Sequence, residues 1–546
     1  MSTNTESWGS RVGLILAMAG NAVGLGNFLR FPVQAVQNGG GAFIVPYLVC
    51  FLLMGIPLLF VEWSMGRFGG KSGHHSTPFI LDSMDKRKFW KYIGVFGIFT
   101  NLAVAAYYCY LESWTLSWVW HSISRTFAGQ SQEEVAGFFN SYVGLEMPLE
   151  TIFFWIVCLL LNTWILSKGL SGGVEKVAKV GMPLLILFGV FLAIMAFNVE
   201  AGVAGAINDA SVGLNFLWTP DFSTIWSPKV WLAAAGQIFF TLSVGMGSIQ
   251  CYASYVKKND DIALNAMSAG WMNEFVEVVL GAAIIIPISV GYLGVDKVLE
   301  MTQTGGLGLG FKTLPFLFEQ WGTVLAILCG VCWFGLLFFA GITSSLAMGT
   351  PVMGFLKDEF GWKHKNAAWA FGGLVFLLGL PTVLFFNYGV FDEYDYWAGT
   401  FSLVLFAFFE IILFSWVFGL SDLYDEWRNS DDVLPFKAMK RLPAWKEITT
   451  GADIKVPGIY KFIIKFVTPV FLGVVFFSSL PGVWDKIINK DLYEKIAKTT
   501  DTKELEVLND TILFVNASRL LLLLVFLGIS YLVFVAYKKR KKEGRI

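Results

Sequence analysis

Charge is the first thing this sequence has little of: 15% of its 546 residues are charged, 55% are hydrophobic and 16% aromatic, against about 25% charged in an ordinary soluble domain. Such a chain cannot hide its apolar surface from water. A net charge of −1 leaves no clustered basic face, so no nucleic-acid partner is expected. The four histidines (His74, His75, His121, His364) are scattered or loop-borne and form no His-Glu-x-x-His helix, which argues against a zinc enzyme. All six cysteines (Cys50, Cys109, Cys158, Cys251, Cys329, Cys332) fall in apolar runs, where a free thiol behaves as a small hydrophobe. No disulfide framework is expected, and Cys329-x-x-Cys332 has neither a second pair nor a neighbouring His. Sizeable hydrophilic segments are also scarce: 125–149, 198–227, 294–321, 421–457 and 484–510, none of which reads as a folded domain. Gly305 to Gly310, in the third of these, lacks the strand and βαβ context of a nucleotide loop and reads as a lid or re-entrant turn.

What the sequence has in abundance is long apolar runs. They lie at about 11–37, 41–66, 89–124, 150–167, 177–197, 228–255, 262–293, 322–356, 366–386, 393–420, 458–483 and 511–537. A helix needs about 20 residues to cross roughly 30 Å of hydrocarbon, so these predict twelve transmembrane helices in an all-α integral membrane protein. Arg11, the short run Val12 to Met18 and Ala17-Met18-Ala19 imitate a cleavable signal, but the apolar stretch continues to Val36. Lys and Arg concentrate in alternate connections: Arg67, Lys71, Lys86, Arg87 and Lys88; Lys168 and Lys176; Lys257 and Lys258; then Arg428, Lys437, Lys440, Arg441, Lys446 and Lys455; and the tail Lys538 to Lys542. The connection 125–149 carries only Arg125, and 198–227 has no Lys or Arg. Both termini are therefore expected on the cytoplasmic side of a plasma membrane, in a bacterium its inner membrane. The segment 484–510 runs against this, with five Lys among more acidic neighbours on the outer side.

Two spans contain something a plain membrane helix has no use for. Span 1 reads Gly20-Asn21-Ala22-Val23-Gly24-Leu25-Gly26-Asn27 and span 6 reads Thr241-Leu242-Ser243-Val244-Gly245-Met246-Gly247-Ser248. They share V-G-x-G beside small or polar residues, and each opens one half of the first ten spans. Close packing through small residues explains many membrane glycines, but not Asn21 and Asn27 beside them, nor the recurrence one half later. Glycine pairs weaken a helix, and a freed N–H or C=O at membrane depth is tolerated only where something bonds it. Half-helix N-termini then suit an anion, while unwound carbonyls and half-helix C-termini suit cations. A zwitterion with Na⁺ beside it fits such a site.

The most specific motifs are Asn21-Ala22-Val23-Gly24-Leu25-Gly26-Asn27-Phe28-Leu29-Arg30-Phe31-Pro32, Gly236-Gln237-Ile238-Phe239-Phe240-Thr241-Leu242-Ser243, Phe339-Ala340-Gly341-Ile342-Thr343-Ser344-Ser345 and Trp397-Ala398-Gly399-Thr400. In them, and from Trp8 into span 12, the chain resembles the neurotransmitter:sodium symporter family. The resemblance implies the LeuT-like fold, a 5+5 inverted repeat with discontinuous helices 1 and 6. Its parts would be a cytoplasmic N-terminus 1–10, a first repeat 11–197, an extracellular connection 198–227, a second repeat 228–420, a cytoplasmic loop 421–457, spans 11 and 12 over 458–537 and a basic tail 538–546.

The resemblance also implies two Na⁺ sites. The first would use Ala22, Asn27, Thr241, Asn273 and the carboxylate of the substrate; the second would use Gly20, Val23, Ala340, Thr343 and Ser344. Read alone, Thr343 and Ser344 would be hydroxyls bonded back to their own helix. The implied substrate pocket comprises Asn21, Ala22, Leu25, Gly26, Val104, Tyr108, Phe240, Thr241, Ser243, Met246, Ser344 and Met348. Monoamine carriers of the family have Asp where this chain has Gly24, so an α-amino acid is expected. Met246 and Met348 stand where leucine-carrying members have Phe and Ile. Methionine is flexible and polarisable, which shifts the expected substrate toward larger neutral side chains, including aromatic ones.

Glu277 supplies a carboxylate where chloride-dependent members have a small polar residue, so no chloride requirement is expected. Gates carry over as Arg30 with Asp395, the aromatic lid Tyr108 and Phe240, and the inner residues Trp8, Tyr255 and Asp358; the inner-gate Arg of the family is Thr5 here. Membrane-end Arg, Asp and Tyr are also ordinary interfacial anchors. The resulting expectation is Na⁺-coupled symport by alternating access, spans 1, 2, 6 and 7 rocking against the rest. Its partners are a neutral amino acid and the lipid bilayer, with a homodimer left open. Competing readings are a carrier of small aliphatic amino acids, a non-transporting amino-acid receptor and a Na⁺-conducting pore. An intramembrane enzyme would need paired carboxylates or His clusters at helical spacing, which the sequence does not present.

Overall fold

The computed structural model describes residues 6–85, 87–223, 225–302, 305–419 and 443–545. The described residues are helical with irregular connections and no strand. Among the described residues, ten helices are long and apolar enough to cross a membrane: Gly41–Lys71, Trp90–Ser124, Pro148–Leu166, Leu170–Phe197, Ile262–Leu293, Thr323–Phe360, His364–Leu384, Val390–Phe418, Ile459–Ile487 and Thr502–Lys542. They correspond to spans 2 to 5 and 7 to 12 of the sequence reading. Span 1 is the pair Arg11–Ala22 and Leu25–Gln37, bent by 51° at its break. Span 6 is Pro228–Leu242 and Ser248–Ala253, 15 and 6 residues, neither long enough to cross alone.

Two differences from the expected boundaries have a clear cause. Segment 294–321 is helical in part, over Val295–Thr302, Gly308–Thr313 and Leu314–Glu319, so the glycine run leads into a helical turn. Segment 484–510 carries the helix Lys490–Lys498 and the first turns of span 12. Both are polar or glycine-bearing, and hydropathy registers only whether a segment suits lipid, not whether it is helical.

The chain folds as two compact units, each of three segments. The first comprises Met1–Gly55, Tyr108–Ser243 and Met267–Ala347; the second comprises Ile56–Tyr107, Val244–Ala266 and Met348–Ile546. Burial separates interior from lipid-facing helices. The most apolar stretch of span 7 is 89% buried and that of span 3 is 83%, whereas in spans 11 and 12 it is 22%. Span 12 correspondingly turns Leu520, Leu523, Leu524 and Leu527 outward, where lipid is the natural neighbour of leucine. Span 7 is interrupted by a π-helical turn, Phe275–Gly281, between two α-helical parts. Such turns shift side-chain register locally and recur at functional positions; this one carries Glu277.

Candidate functional site

Span 1 stops being a helix at Ala22. Val23 (φ −70°, ψ 102°) and Gly24 (φ −127°, ψ −169°) are extended, and helix resumes at Leu25. A break at this depth strands carbonyls on one side and amides on the other, and hydrocarbon satisfies neither. Side chains of the first unit take over that task. The Gly24 amide donates to Asn27 Oδ1 at 2.8 Å and the Leu25 amide to the Tyr108 hydroxyl at 2.9 Å. The carbonyl oxygens of Gly20, Asn21 and Val23 lie 3.1, 3.4 and 3.3 Å from Ser344 Oγ.

A hydroxyl has one hydrogen, so it serves one of these three carbonyls at a time. Thr343 adds a second hydroxyl, whose own hydrogen is directed back along its helix to Phe339 O at 2.8 Å and Ala340 O at 3.3 Å. Gly20 makes this approach possible: a Cβ there would stand 2.8 Å from Thr343 Cβ and 3.1 Å from Thr343 Oγ1. Oxygens outnumber hydrogens in this cluster, and an oxygen-rich, uncharged nest attracts a small hard cation.

A second cluster joins spans 1, 6 and 7 within the same unit. Asn27 Nδ2, with two hydrogens to give, lies 3.0 Å from Thr241 Oγ1, 2.8 Å from Asn273 Oδ1 and 2.8 Å from Glu277 Oε2, and Asn273 Nδ2 donates to Thr241 Oγ1 at 2.9 Å. Asn273 and Glu277 are four residues apart, so both face the same neighbour. Glu277 is fully buried. Its Oε1 accepts from Tyr47 at 3.0 Å and Gln237 at 2.8 Å, and its Oε2 accepts from Asn27 and from the Thr241 hydroxyl. Four donors on two oxygens are what an ionised carboxylate calls for. Span 7 approaches closely because Gly281 has no side chain; a Cβ there would lie 2.6 Å from Asn27 O.

Around the break, the first unit also gathers Asn21, Ala22, Leu25, Gly26, Tyr108, Phe240 and Ser243. Ser243 ends the first half of span 6 in the left-handed region (φ 52°), and its hydroxyl donates to Asn21 O at 3.0 Å. The ring of Phe240 fills the space that a side chain on Gly26 would need, and the Arg30 guanidinium lies 4.3 Å above that ring, a cation–π contact. A Cβ on Gly24 would stand 2.7 Å from the Tyr108 hydroxyl and 3.1 Å from Ser344 Oγ. Trp8 is buried in this unit too.

The remaining expected site residues belong to the second unit. Val104, Met246 and Met348 are buried, and Met246 O accepts from Thr100 Oγ1 at 3.1 Å and Asn101 Nδ2 at 2.6 Å. Asp395 accepts from the Tyr107 hydroxyl at 2.7 Å. Asp358 accepts the His75 amide at 2.8 Å, and the His75 ring stacks on Tyr255 at 4.1 Å with 7° between planes. Next to it, His74 is pushed down to about 3 by burial and by the Arg540 guanidinium, so it is a neutral acceptor for Arg540 at 3.1 Å. Thr5, where the family has the inner-gate Arg, lies outside the described residues.

The sequence reading passed over Tyr47 and Gln237, which hold Glu277, and Glu112, which is fully buried on span 3. A polar or ionisable residue inside an apolar run was the available signal. Among the described residues no group of three His, Cys, Asp or Glu is placed to hold a metal ion. What the first cluster offers is uncharged oxygens beside a bare stretch of backbone.

Comparison with known proteins places the chain in a family. The sequence model of the Sodium:neurotransmitter symporter family matches residues 5–141 and 137–500. An uncharacterized sodium-dependent transporter of Haemophilus influenzae is 30% identical over 508 residues, 88% of this chain and all of that protein. Another from Methanocaldococcus jannaschii is 29% identical over 488 residues, covering 88% of this chain and 91% of the relative. The sodium-dependent nutrient amino acid transporter 1 of Drosophila melanogaster is 24% identical, over 89% of this chain and 79% of its own length. Among solved structures, MhsT in complex with L-phenylalanine superposes with a TM-score of 0.70 at 28% identity, covering 87% of this chain and the whole of that one. The chain therefore belongs to the sodium:neurotransmitter symporter family, as a multi-pass, sodium-dependent membrane transporter rather than an enzyme.

Proposed function

We propose that this protein couples the inward movement of two Na⁺ to uptake of a neutral, hydrophobic or aromatic L-amino acid, without a chloride requirement. The observation that carries the reading is the break in span 1, where Gly20, Asn21 and Val23 turn their carbonyls onto a single hydroxyl of span 8. One Na⁺ would sit among the carbonyls of Gly20, Val23 and Ala340 and the hydroxyls of Thr343 and Ser344. The other would sit among Ala22, Asn27, Thr241 and Asn273 with the substrate carboxylate.

Gly24 lets the Tyr108 hydroxyl and Ser344 close on the break, where even a Cβ would stand 2.7 and 3.1 Å from them, which supports a carboxylate supplied by the substrate rather than by a side chain at this position. Phenylalanine bound to MhsT, a relative of 28% identity, supports an amino acid of that size. Met246 and Met348 support it through their adaptable thioethers. Glu277 would provide the fixed negative charge beside the first Na⁺, through the Thr241 and Asn27 that both groups share. Two Na⁺ crossing 100 mV release about 4.6 kcal/mol, at about 2.3 per charge, and a tenfold Na⁺ gradient adds about 1.4 kcal/mol per ion. Together these sustain roughly a 10⁵-fold amino-acid gradient.

Uptake into proteoliposomes, competed by a panel of amino acids with chloride present or replaced by gluconate, tests the reading. Na⁺-dependent uptake, strongest competition from Phe, Trp, Tyr or Leu, and indifference to gluconate are expected. Dominant competition by alanine or glycine would favour the small aliphatic alternative, and collapse in gluconate would refute the role of Glu277.

A further inference from the structure

The turn of span 8 that carries Thr343 and Ser344 is held from behind by a buried polar ring. Glu112 on span 3 is fully buried. Its carboxyl accepts from Ser345 Oγ at 2.6 Å and from Asn162 Nδ2 of span 4 at 2.9 and 3.1 Å, and Ser345 Oγ also lies 3.0 Å from Asn162 Oδ1. Gly341 lets the acid lie against the turn: a Cβ there would stand 3.1 Å from Glu112 Cγ and 3.5 Å from Glu112 Cβ. The contact therefore covers Gly341 to Ser345, the stretch that contains the Thr343 and Ser344 oxygens. All of these residues belong to the first unit.

We infer that Glu112 is a positioning residue for Na⁺ at the Thr343–Ser344 turn, fixing those hydroxyls through Ser345. A helix clamp alone needs no acid, since Ser345 and Asn162 can bond each other, whereas an acid inside the membrane is costly and rarely kept without a role. Oxygen ligands that are all neutral hold a monovalent ion weakly. A carboxyl set one residue behind them strengthens the site without entering the coordination shell, so the ion can still leave. The inference rests on the second Na⁺ site proposed above.

The test is a Na⁺ titration of radiolabelled L-phenylalanine binding to the purified full chain, with substrate affinity measured separately at saturating Na⁺. E112Q is expected to raise the Na⁺ concentration for half-saturation at least fivefold. S345A and G341A should raise it two- to fivefold, all three leaving substrate affinity at saturating Na⁺ within twofold. T343A removes a proposed ligand itself and should raise it more than any of them. If E112Q does not fold, S345A and G341A carry the test, each a small change on the other side of the contact. Half-saturation unchanged in these variants while T343A shifts it would overturn the role of Glu112 alone. Half-saturation unchanged in T343A would overturn the second Na⁺ site, and the role of Glu112 with it.

Discussion

The two breaks share the sequence V-G-x-G but resolve their freed backbone groups in opposite ways. In span 1 the break is two extended residues, with no left-handed backbone, and its carbonyls face the hydroxyl of Ser344. In span 6 the backbone turns through left-handed Ser243, Gly245 and Gly247 (φ 52°, 73° and 88°). There the Gly245 amide is taken by the Glu62 carboxyl at 2.6 Å, and Met246 O by the Thr100 hydroxyl and the Asn101 amide. The first break is thus held by neutral groups that a cation can replace, and the second is tied to a buried acid and an amide. On the function proposed, one repeat element would be an ion site and the other a fixed corner.

The sharpest way to break that comparison is Asn27→Ala. It removes the acceptor of the Gly24 amide and the donor to Thr241, Asn273 and Glu277, leaving several buried groups unpaired at about 1–3 kcal/mol each. Na⁺-dependent L-phenylalanine binding should weaken at least a hundredfold, or about 2.7 kcal/mol, by equilibrium binding on the purified protein. Ser344→Ala should act more mildly. It strips one hydroxyl from three carbonyls, two of which (Gly20 and Val23) the proposed Na⁺ would also meet, and the Na⁺ concentration for half-saturation should rise about tenfold in the same assay.

Gly245→Ala tests the other side. Its φ of 73° disfavours a side chain, and the added Cβ would run into the Leu403 carbonyl and lie 3.0 Å from Ala407 Cβ. A loss of about 1–3 kcal/mol of stability is expected, read as a lower melting temperature in detergent. Na⁺ half-saturation of the folded protein should stay within twofold. A large shift in half-saturation with unchanged melting would reverse the roles assigned to the two breaks.

What could be read from the sequence follows from how local each signal is. The breaks were legible because glycine and asparagine have no business in the middle of a lipid-facing helix, and the spans because hydropathy reports lipid directly. Glu277 stood out as a charge in an apolar run. Its holders Tyr47 and Gln237 did not, because they lie 230 and 40 residues away and carry no periodic mark. Glu112 was equally visible as an acid, but its meaning depends on Asn162 and Ser345, 50 and 233 residues distant. The π-helical turn at Phe275–Gly281 was not legible, since its residues suit an ordinary helix. The helix at Lys490–Lys498 lies outside the membrane and leaves hydropathy silent.

Coupling itself, rather than binding, is the central claim, and the direct measurement is ²²Na⁺ entry into proteoliposomes containing the purified chain. The account predicts little entry without substrate and saturable entry stimulated severalfold by external L-phenylalanine or another large neutral amino acid. Substrate binding with no stimulated Na⁺ entry would make the protein a receptor. Equal Na⁺ entry with and without substrate would make it a pore, and either result would contradict the account.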